Sequence, residues 1–349
     1  MTPAERSAQA KRLALEAGFD AVGVAVIDSL AGTPDGERVR AWLAEGRHGT
    51  MAYMAREPER RLDPARVLPG ARSVLCVGLN YGGGEDAVLA NSGPPRGRIA
   101  RYTRGRDYHK VFTGKLRRLE AALRGAFPGV AMRSYVDTGP VLEKLWAERA
   151  GLGWRGKHTN LVSRVWGSWL LLGEVLLDVG LAPDETETDH CGTCTRCVDV
   201  CSTRAITAPY RLDARLCISY LTIEHRGSIP LELRPLMGDH VFGCDDCLEV
   251  CPWNRFAREA READFAPRAN AVAPLLTELV AITDEEFLRR YAGTAVMRTK
   301  REGLARNACV ALGNVGGAGA AEALTRAMED ASHVVREHAA WALARLAGR

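Results

Sequence analysis

CGTCTRCVDVC (residues 191–201) and, after Cys217, GCDDCLEVCPWN (residues 243–254) are the stretches around which the rest of the chain is organised. Their spacings are Cys191-x2-Cys194-x2-Cys197-x3-Cys201 and Cys244-x2-Cys247-x3-Cys251-Pro252, and with Cys217 they hold eight of the chain's ten cysteines. Eight thiolates match the demand of two four-iron clusters. In bacterial-type ferredoxins the first three cysteines of a run hold one cluster and the fourth reaches the other. That rule assigns Cys191, Cys194, Cys197 and Cys251 to one cluster. The second takes Cys201, Cys244 and Cys247, with Cys217 standing in for the missing first member of its run. Structural zinc also uses Cys-x2-Cys pairs, but the x2-x2-x3 run ending in Cys-Pro is a cluster spacing rather than a zinc-finger one. Disulfides belong to small secreted domains, which this long chain does not resemble. Two neighbouring clusters make a path for single electrons, so an acceptor is expected elsewhere in the chain.

The 349 residues leave room for two or three domains and a sizeable core. With 46% hydrophobic and 26% charged residues and a net charge of +4, the composition is that of an ordinary soluble protein. No apolar run approaches the roughly 18 residues of a membrane helix. Met1–Asp20 carries Glu5 and Glu16 in a helical pattern, unlike a secretory or transit peptide, and no twin-arginine signal precedes it. A cytoplasmic protein with no membrane association is expected.

Periodicity predicts a helix over 3–18, a strand over 19–27, a short helix over 39–45 and a strand over 73–79 followed by Gly82-Gly83-Gly84. Cys76 inside that strand reads as an inert core thiol. The basic stretch 96–112 (RGRIARYTRGRDYHKVF) interleaves Tyr102, Tyr108 and Phe112. It suits a solvated loop or a surface for phosphate or nucleic acid. Within it, Asp107-Tyr108-His109 has part of the Asp-x-His-x-x-Gly pattern of an axial cobalt ligand, but Phe112 occupies the required glycine position, so His109 is set aside as a ligand. A strand at 134–136 leads into Asp137, where a turn or helix N-cap residue is ordinary, and a helix follows over 141–150. Residues 165–179 (VWGSWLLLGEVLLDV) are apolar enough for a covered strand or a buried helix. Strands alternating with helices and glycine loops predict an α/β or α+β layer ahead of the clusters.

From 257 onward the pattern is helical and rich in Ala, Leu and Arg. ARNACVALG (305–313) superimposes on REHAAWALA (336–344) at a spacing of 31, which predicts a short helical repeat of the HEAT kind with Cys309 and Trp341 as packing residues. The basic run beside it, Arg298, Lys300, Arg301, Arg306 and Asn307, reads either as a solvated helix face or as a phosphate-reading surface.

Taken together, ARYTRGRDYH (100–109), VDTGP (136–140), GWRGKHTN (153–160), CISYLTIE (217–224) and GCDDCLEVCPWN (243–254) resemble the epoxyqueuosine reductase family, and the likeness runs along nearly the whole chain. The resemblance implies an α+β organisation: a cobalamin-binding reductase domain over 1–180, a ferredoxin-like module with two 4Fe-4S clusters over 181–258, and HEAT-like repeats that bind tRNA over 259–349. It implies base-off cobalamin and reduction of the epoxide of epoxyqueuosine at the tRNA wobble position to queuosine, by a monomer fed by an external electron donor. Asp137 is the implied proton donor, its pKa raised by burial beside the corrin. Arg61, Ala100, Asp137, Lys157, Ser168 and Ser219 are the implied corrin-lining residues. Arg298, Lys300, Arg301, Arg306 and Asn307 are the RNA-binding candidates, with Arg101, Arg104 and Arg106 near the mouth. The family's Cys-Pro-Thr-Gly appears here as Cys201-Ser202-Thr203-Arg204, which changes a turn and loses no ligand. A dehalogenase-like corrinoid reductase and a non-catalytic iron–sulfur carrier are the competing readings.

Overall fold

The computed structural model describes residues 1–83, 93–269 and 271–348. Gly84 of the predicted glycine loop lies outside them. The amino-terminal part is built on a four-stranded sheet in the order Ala21–Val26, Ser73–Asn80, Leu170–Leu177, Met132–Tyr135, every neighbouring pair antiparallel. The two inner strands are the two long apolar runs of the sequence. All eight residues of Ser73–Asn80 are buried, because helices cover both faces of the sheet. Residues 165–179 thus resolve as a strand, not a buried helix.

One face packs Leu75, Val77, Val175 and Leu177 against Ala10, Ala14, Phe112, Leu116 and Leu119 of the helices Pro3–Glu16 and Tyr108–Ala126. The other packs Val74, Cys76 and Leu176 against Leu145 and Trp146 of the helix Glu143–Arg149. Cys76 is a buried core thiol.

The cluster module folds as two short helices, Arg196–Asp199 and Asp246–Glu249, that pack together. After the first run the chain turns at Arg204, which holds a left-handed φ of 55°. A helix Ile218–Ile223 follows Cys217, and a strand His240–Phe242 leads to Cys244.

In the carboxy-terminal part, the helices Lys300–Val315 and His333–Ala347 pack closely: a Cβ on Gly313 would lie 2.7 Å from that of Ala342. These are the two segments that superimpose in sequence. Their core is continuous across residue 258, since Ile99, Ile223, Val241 and Phe242 belong to the same apolar cluster as Leu304, Ala308 and Leu312. Lys300–Val315 is therefore an inner helix, buried at every residue from Gly303 to Gly313. No helix among the described residues is long and apolar enough to cross a membrane.

Candidate active site

A cavity of about 800 Å³ opens between the sheet, the cluster module and the start of the carboxy-terminal helices. Cys201, Cys217, Cys244 and Cys247 line one side, and Asp137, Tyr108, His109, Glu143 and Lys144 line the other. Leu170, Leu171 and Leu172, from the start of the central strand, supply apolar wall, and Tyr53, Met297 and Arg298 complete the lining.

The thiols fall into two neighbouring sets. Burial, then Cys191, Cys251 and Cys194, push the Cys197 thiol up to about 11. Cys247 is pushed up by burial, then by Cys217, Asp245, Cys201 and, last, Cys197 of the other set. All eight are free thiols. The donor set suits thiolate-held iron–sulfur clusters, and Cys197 of one set lies close enough to Cys247 of the other to act on it. Lys157 donates from Nζ to the carbonyls of Gly192 (2.6 Å) and Cys194 (2.9 Å), bracing the first cysteine loop.

Asp137 is neither buried nor an N-cap. It sits in a tight turn with φ 57°, its side chain 51% exposed to the cavity, while the following helix is capped at Leu142. The turn needs Gly139, where a Cβ would lie 2.4 Å from the Tyr135 ring. Arg61 donates to the Gly139 carbonyl at 3.3 Å, behind the turn.

His109 reaches Asp137 from the first turn of Tyr108–Ala126. Asp107 caps that helix, its Oδ1 accepting from the His109 backbone N–H (3.0 Å) and lying 2.8 Å from His109 Nδ1. That fixes the ring so that Nε2 lies 3.4 Å from Asp137 Oδ2. Burial opposes a charge on His109, but the hydrogen bonds to Asp107 and Asp137 prevail and raise its pKa to about 9. The hydrogen bond from His109 holds the Asp137 carboxyl below its usual range against desolvation, helped by the charges of His109 and Arg298. The protein's own groups thus lower Asp137, whereas the resemblance expects a bound corrin to raise it. The raised acids lie behind it: Glu143 goes up to about 7, through burial and the Asp137 charge, and Glu174 is pushed well up by burial, then Glu143 and Asp137.

The other expected residues divide. Ser219 lines the cavity. Ala100 instead packs under the cluster loop, where Gly243 leaves it room, a Cβ there lying 2.4 Å from the Ala100 Cβ. Ser168 is buried, its N–H donated to Asn254 Oδ1 at 3.0 Å. Lys157 points to the cysteine loop and Arg61 to the turn, so neither is a wall of this cavity among the described residues.

Of the RNA candidates, Arg298 is at the cavity mouth, paired with Glu224 and 5.9 Å from the Tyr53 ring. Lys300 is exposed. Arg301 is engaged with Asp330, at 2.5 and 2.8 Å. Arg306 and Asn307 are corrected outright, being 1% and 0% exposed. Arg306 donates to the carbonyls of Leu221, His225 and Gly227, and Asn307 to those of Thr222 and Val241. They clamp the segments that carry Cys217 and Cys244. Arg104 is likewise buried, Arg101 donates to the Gly83 carbonyl, and exposed Arg106 pairs with Asp264.

Sequence reasoning misses the roles of His109, Glu143, Lys144 and Glu174. In sequence His109 shows only a broken cobalt-ligand motif. Glu174 does carry a signal, an acid within an otherwise continuous apolar strand, where an unpaired charge is costly.

Comparison with known proteins places this arrangement. Residues 61–138 match a family described as epoxyqueuosine reductase QueG, DUF1730, and residues 190–254 match a 4Fe-4S double cluster binding domain. An epoxyqueuosine reductase of Xanthomonas campestris pv. campestris is 45% identical over 345 residues, covering 98% of this chain and 96% of that protein. The one from Escherichia coli (strain K12) is 42% identical over 338 residues, covering 96% and 88%. A crystal structure of epoxyqueuosine reductase with an epoxyqueuosine-modified tRNA-Tyr stem loop superimposes with a TM-score of 0.89 at 30% identity, covering 98% of this chain and 90% of the other. The Bacillus subtilis enzyme, with its catalytic aspartate loop swung out of the active site, gives a TM-score of 0.89 at 28% identity, again covering 98% and 90%.

Proposed function

The chain belongs to the epoxyqueuosine reductase family and is an oxidoreductase; from that premise we propose that it reduces the epoxide of epoxyqueuosine in the tRNA anticodon to the alkene of queuosine, with Asp137 as proton donor. The observation that carries this reading is the cavity itself, with four cysteines on one side and the Asp137–His109 pair on the other.

The residues fit the expected groups. Cys191, Cys194, Cys197 and Cys251 would hold one 4Fe-4S cluster, and Cys201, Cys217, Cys244 and Cys247 the other. The cavity, at the upper end of ordinary ligand sites, would take cobalamin, with Ser219 and the leucines of the central strand along it. Neither nearby histidine offers cobalt a lone pair. His109 is engaged at both nitrogens, and buried His158 accepts from the Asn160 N–H at Nδ1, which leaves the ring proton on Nε2. Neither histidine would therefore serve as a ligand to the bound group. When bound, the clusters and corrinoid supply low-potential electrons and a strongly nucleophilic metal.

The protein supplies the protons. Opening the epoxide and expelling its oxygen as water consumes two electrons and two protons, and the oxygen leaves badly unless protonated. Asp137 is open to the cavity, and a proton resides on His109 at neutral pH. The pair therefore shares one transferable proton, with Asp137 presenting it to the substrate oxygen. Asp107 orients the imidazole, and Arg298 adds positive charge at the mouth. The anticodon base would enter from that side, splayed out of its stack.

Anaerobic reconstitution with cobalamin, followed by iron and cobalt analysis and an assay on an epoxyqueuosine stem loop, tests the proposal. About eight irons and one cobalt per chain, with queuosine formed, are expected. Eight irons without cobalt, and no turnover, would leave an iron–sulfur carrier.

A further inference from the structure

The indole of Trp154 is 0% exposed, and its Nε1–H has no hydrogen-bond partner of good geometry among the described residues. A buried donor without an acceptor is costly to keep, so what surrounds it is informative. The ring is wedged between residues that flank two ligands of the first cysteine set. It meets the ring of His190, the residue before Cys191, nearly at right angles at 5.0 Å. It meets the ring of Trp253, which follows Cys251-Pro252, in the same way and also at 5.0 Å. Trp253 closes this corner by directing its own Nε1–H at the His190 carbonyl, 3.4 Å away. The strand that carries Trp154 is firmly placed. Trp154–Arg155 pairs with Leu161–Val162, and Arg155 is held by Glu148 at 2.9 and 2.6 Å and by Asp35 at 3.0 Å. Two residues on, Lys157 grips the carbonyls of Gly192 and Cys194. Burial pushes the Cys191 thiol up, and the Trp154 indole and the Lys157 backbone N–H oppose that as donors to its sulfur.

We propose that Trp154 gives its indole N–H to the Cys191 sulfur of the first 4Fe-4S cluster and thereby raises that cluster's reduction potential. The inference rests on the assignment of Cys191, Cys194, Cys197 and Cys251 to one cluster and goes beyond it. A neutral thiol is a weak acceptor, whereas an iron-bound thiolate carries the charge that strengthens an N–H contact. Reduction adds a negative charge to the cluster, so a donor fixed against a ligand sulfur favours the reduced form. The enclosed site strengthens the contact further. An indole N–H neither gains nor loses a proton near neutral pH, so the effect does not vary with pH there. The second set has a donor of another kind, the Ala205 backbone N–H at 3.2 Å from Cys201 Sγ. That set lines the cavity, whereas Cys251 opens on an outer face beside Arg196 and Arg255. Trp154 thus acts on the cluster farther from the cavity and makes it easier for an external donor to fill. It touches no substrate.

The test is a potentiometric titration of the iron-loaded full chain, without corrinoid or RNA, followed by electron paramagnetic resonance. Trp154→Phe keeps an aromatic ring against His190 and Trp253 and removes the N–H. Its iron content should match the wild type, while the one-electron equilibrium of one cluster shifts toward the oxidised form by about three- to tenfold. Tenfold corresponds to ~59 mV for one electron. The other cluster should stay where it was, and the shift should be the same on either side of neutral pH. An iron-loaded Trp154→Phe with both potentials unchanged, or with both moved equally, would overturn the inference. Should that variant lose its iron, the wild type with isotope-labelled indole nitrogens decides. Pulsed resonance spectra of its reduced clusters are expected to show a coupling to an indole nitrogen, and to keep it in Trp253→Phe. Absence of the coupling from the wild type, or its loss in Trp253→Phe, would overturn the inference. Failure of the cluster assignment looks different: Cys191→Ser would leave iron content and spectra as in the wild type.

Discussion

Arg306 with Asn307, and Glu143 with Glu174, are two buried polar groups that differ in what they touch. Arg306 and Asn307 give hydrogen bonds to five backbone carbonyls, those of Leu221, His225, Gly227, Thr222 and Val241, and the Arg306 side chain also bonds Asn307 Oδ1. Glu174 touches no donor among the described residues, and Glu143 meets one backbone N–H while facing the charge of Asp137. A satisfied buried network fixes one conformation and contributes stability. An under-satisfied one persists against its own cost and marks a place where protonation can change. The first group holds the cysteine loops in place, and the second sits behind the reacting group.

The comparison breaks most visibly under substitution of the satisfied group. Asn307→Ala strands two buried carbonyls and should cost about 2–4 kcal/mol of stability. Thermal unfolding should shift down and iron retention fall, with activity per iron-loaded chain within about twofold of wild type. Little change in unfolding would mean that the network is not the clamp described here. Next in size is the Asp107–His109–Asp137 chain. His109 gains protons on folding, so its contribution is full below its ordinary pKa of 6.5 and is lost as pH rises through about 9. That contribution is on the order of 3 kcal/mol. The stability difference between wild type and His109→Gln should shrink across that window, and the alkaline limb of the pH–rate profile should disappear in the variant. A difference independent of pH would remove the charged imidazole from the account.

Smaller effects sharpen the contrast between free and engaged cations. Lys300 is exposed, whereas Arg301 is bound to Asp330. Lys300→Ala should weaken tRNA binding modestly and reduce its salt slope by roughly one. An unchanged slope would place the phosphate contacts elsewhere. Smallest is Arg204→Gly, which relieves a left-handed residue at the first cysteine run. It should raise stability by about 0.5–1 kcal/mol, net of the extra entropy glycine gives the unfolded chain. A destabilised variant would show that the Arg204 side chain makes up for its backbone.

Much of this is legible in the sequence because its physics is local. Cysteine spacing points to iron–sulfur clusters and the apolar run at 73–79 to a covered strand, while 165–179, which carries Glu174, leaves strand and buried helix open until the sheet register is seen. The basic run 298–307 misleads for a reason equally physical. Charge counts along a sequence do not show whether an arginine faces water or a carbonyl, and Arg306 stands on an inner helix whose neighbours come from residues 221–241. The Asp137 environment is hidden in the same way. Its neighbours His109, Glu143 and Glu174 come from three different elements, and only the sheet register and the Asp107 cap bring them to one turn.

The most direct test of the central claim is turnover of an epoxyqueuosine stem loop by Asp137→Asn, loaded with iron and cobalamin and normalised to metal content. The account predicts wild-type metal content and unfolding temperature, with turnover reduced by about 10²–10⁴-fold. Wild-type turnover by that variant would contradict it, and would remove Asp137 from the chemistry.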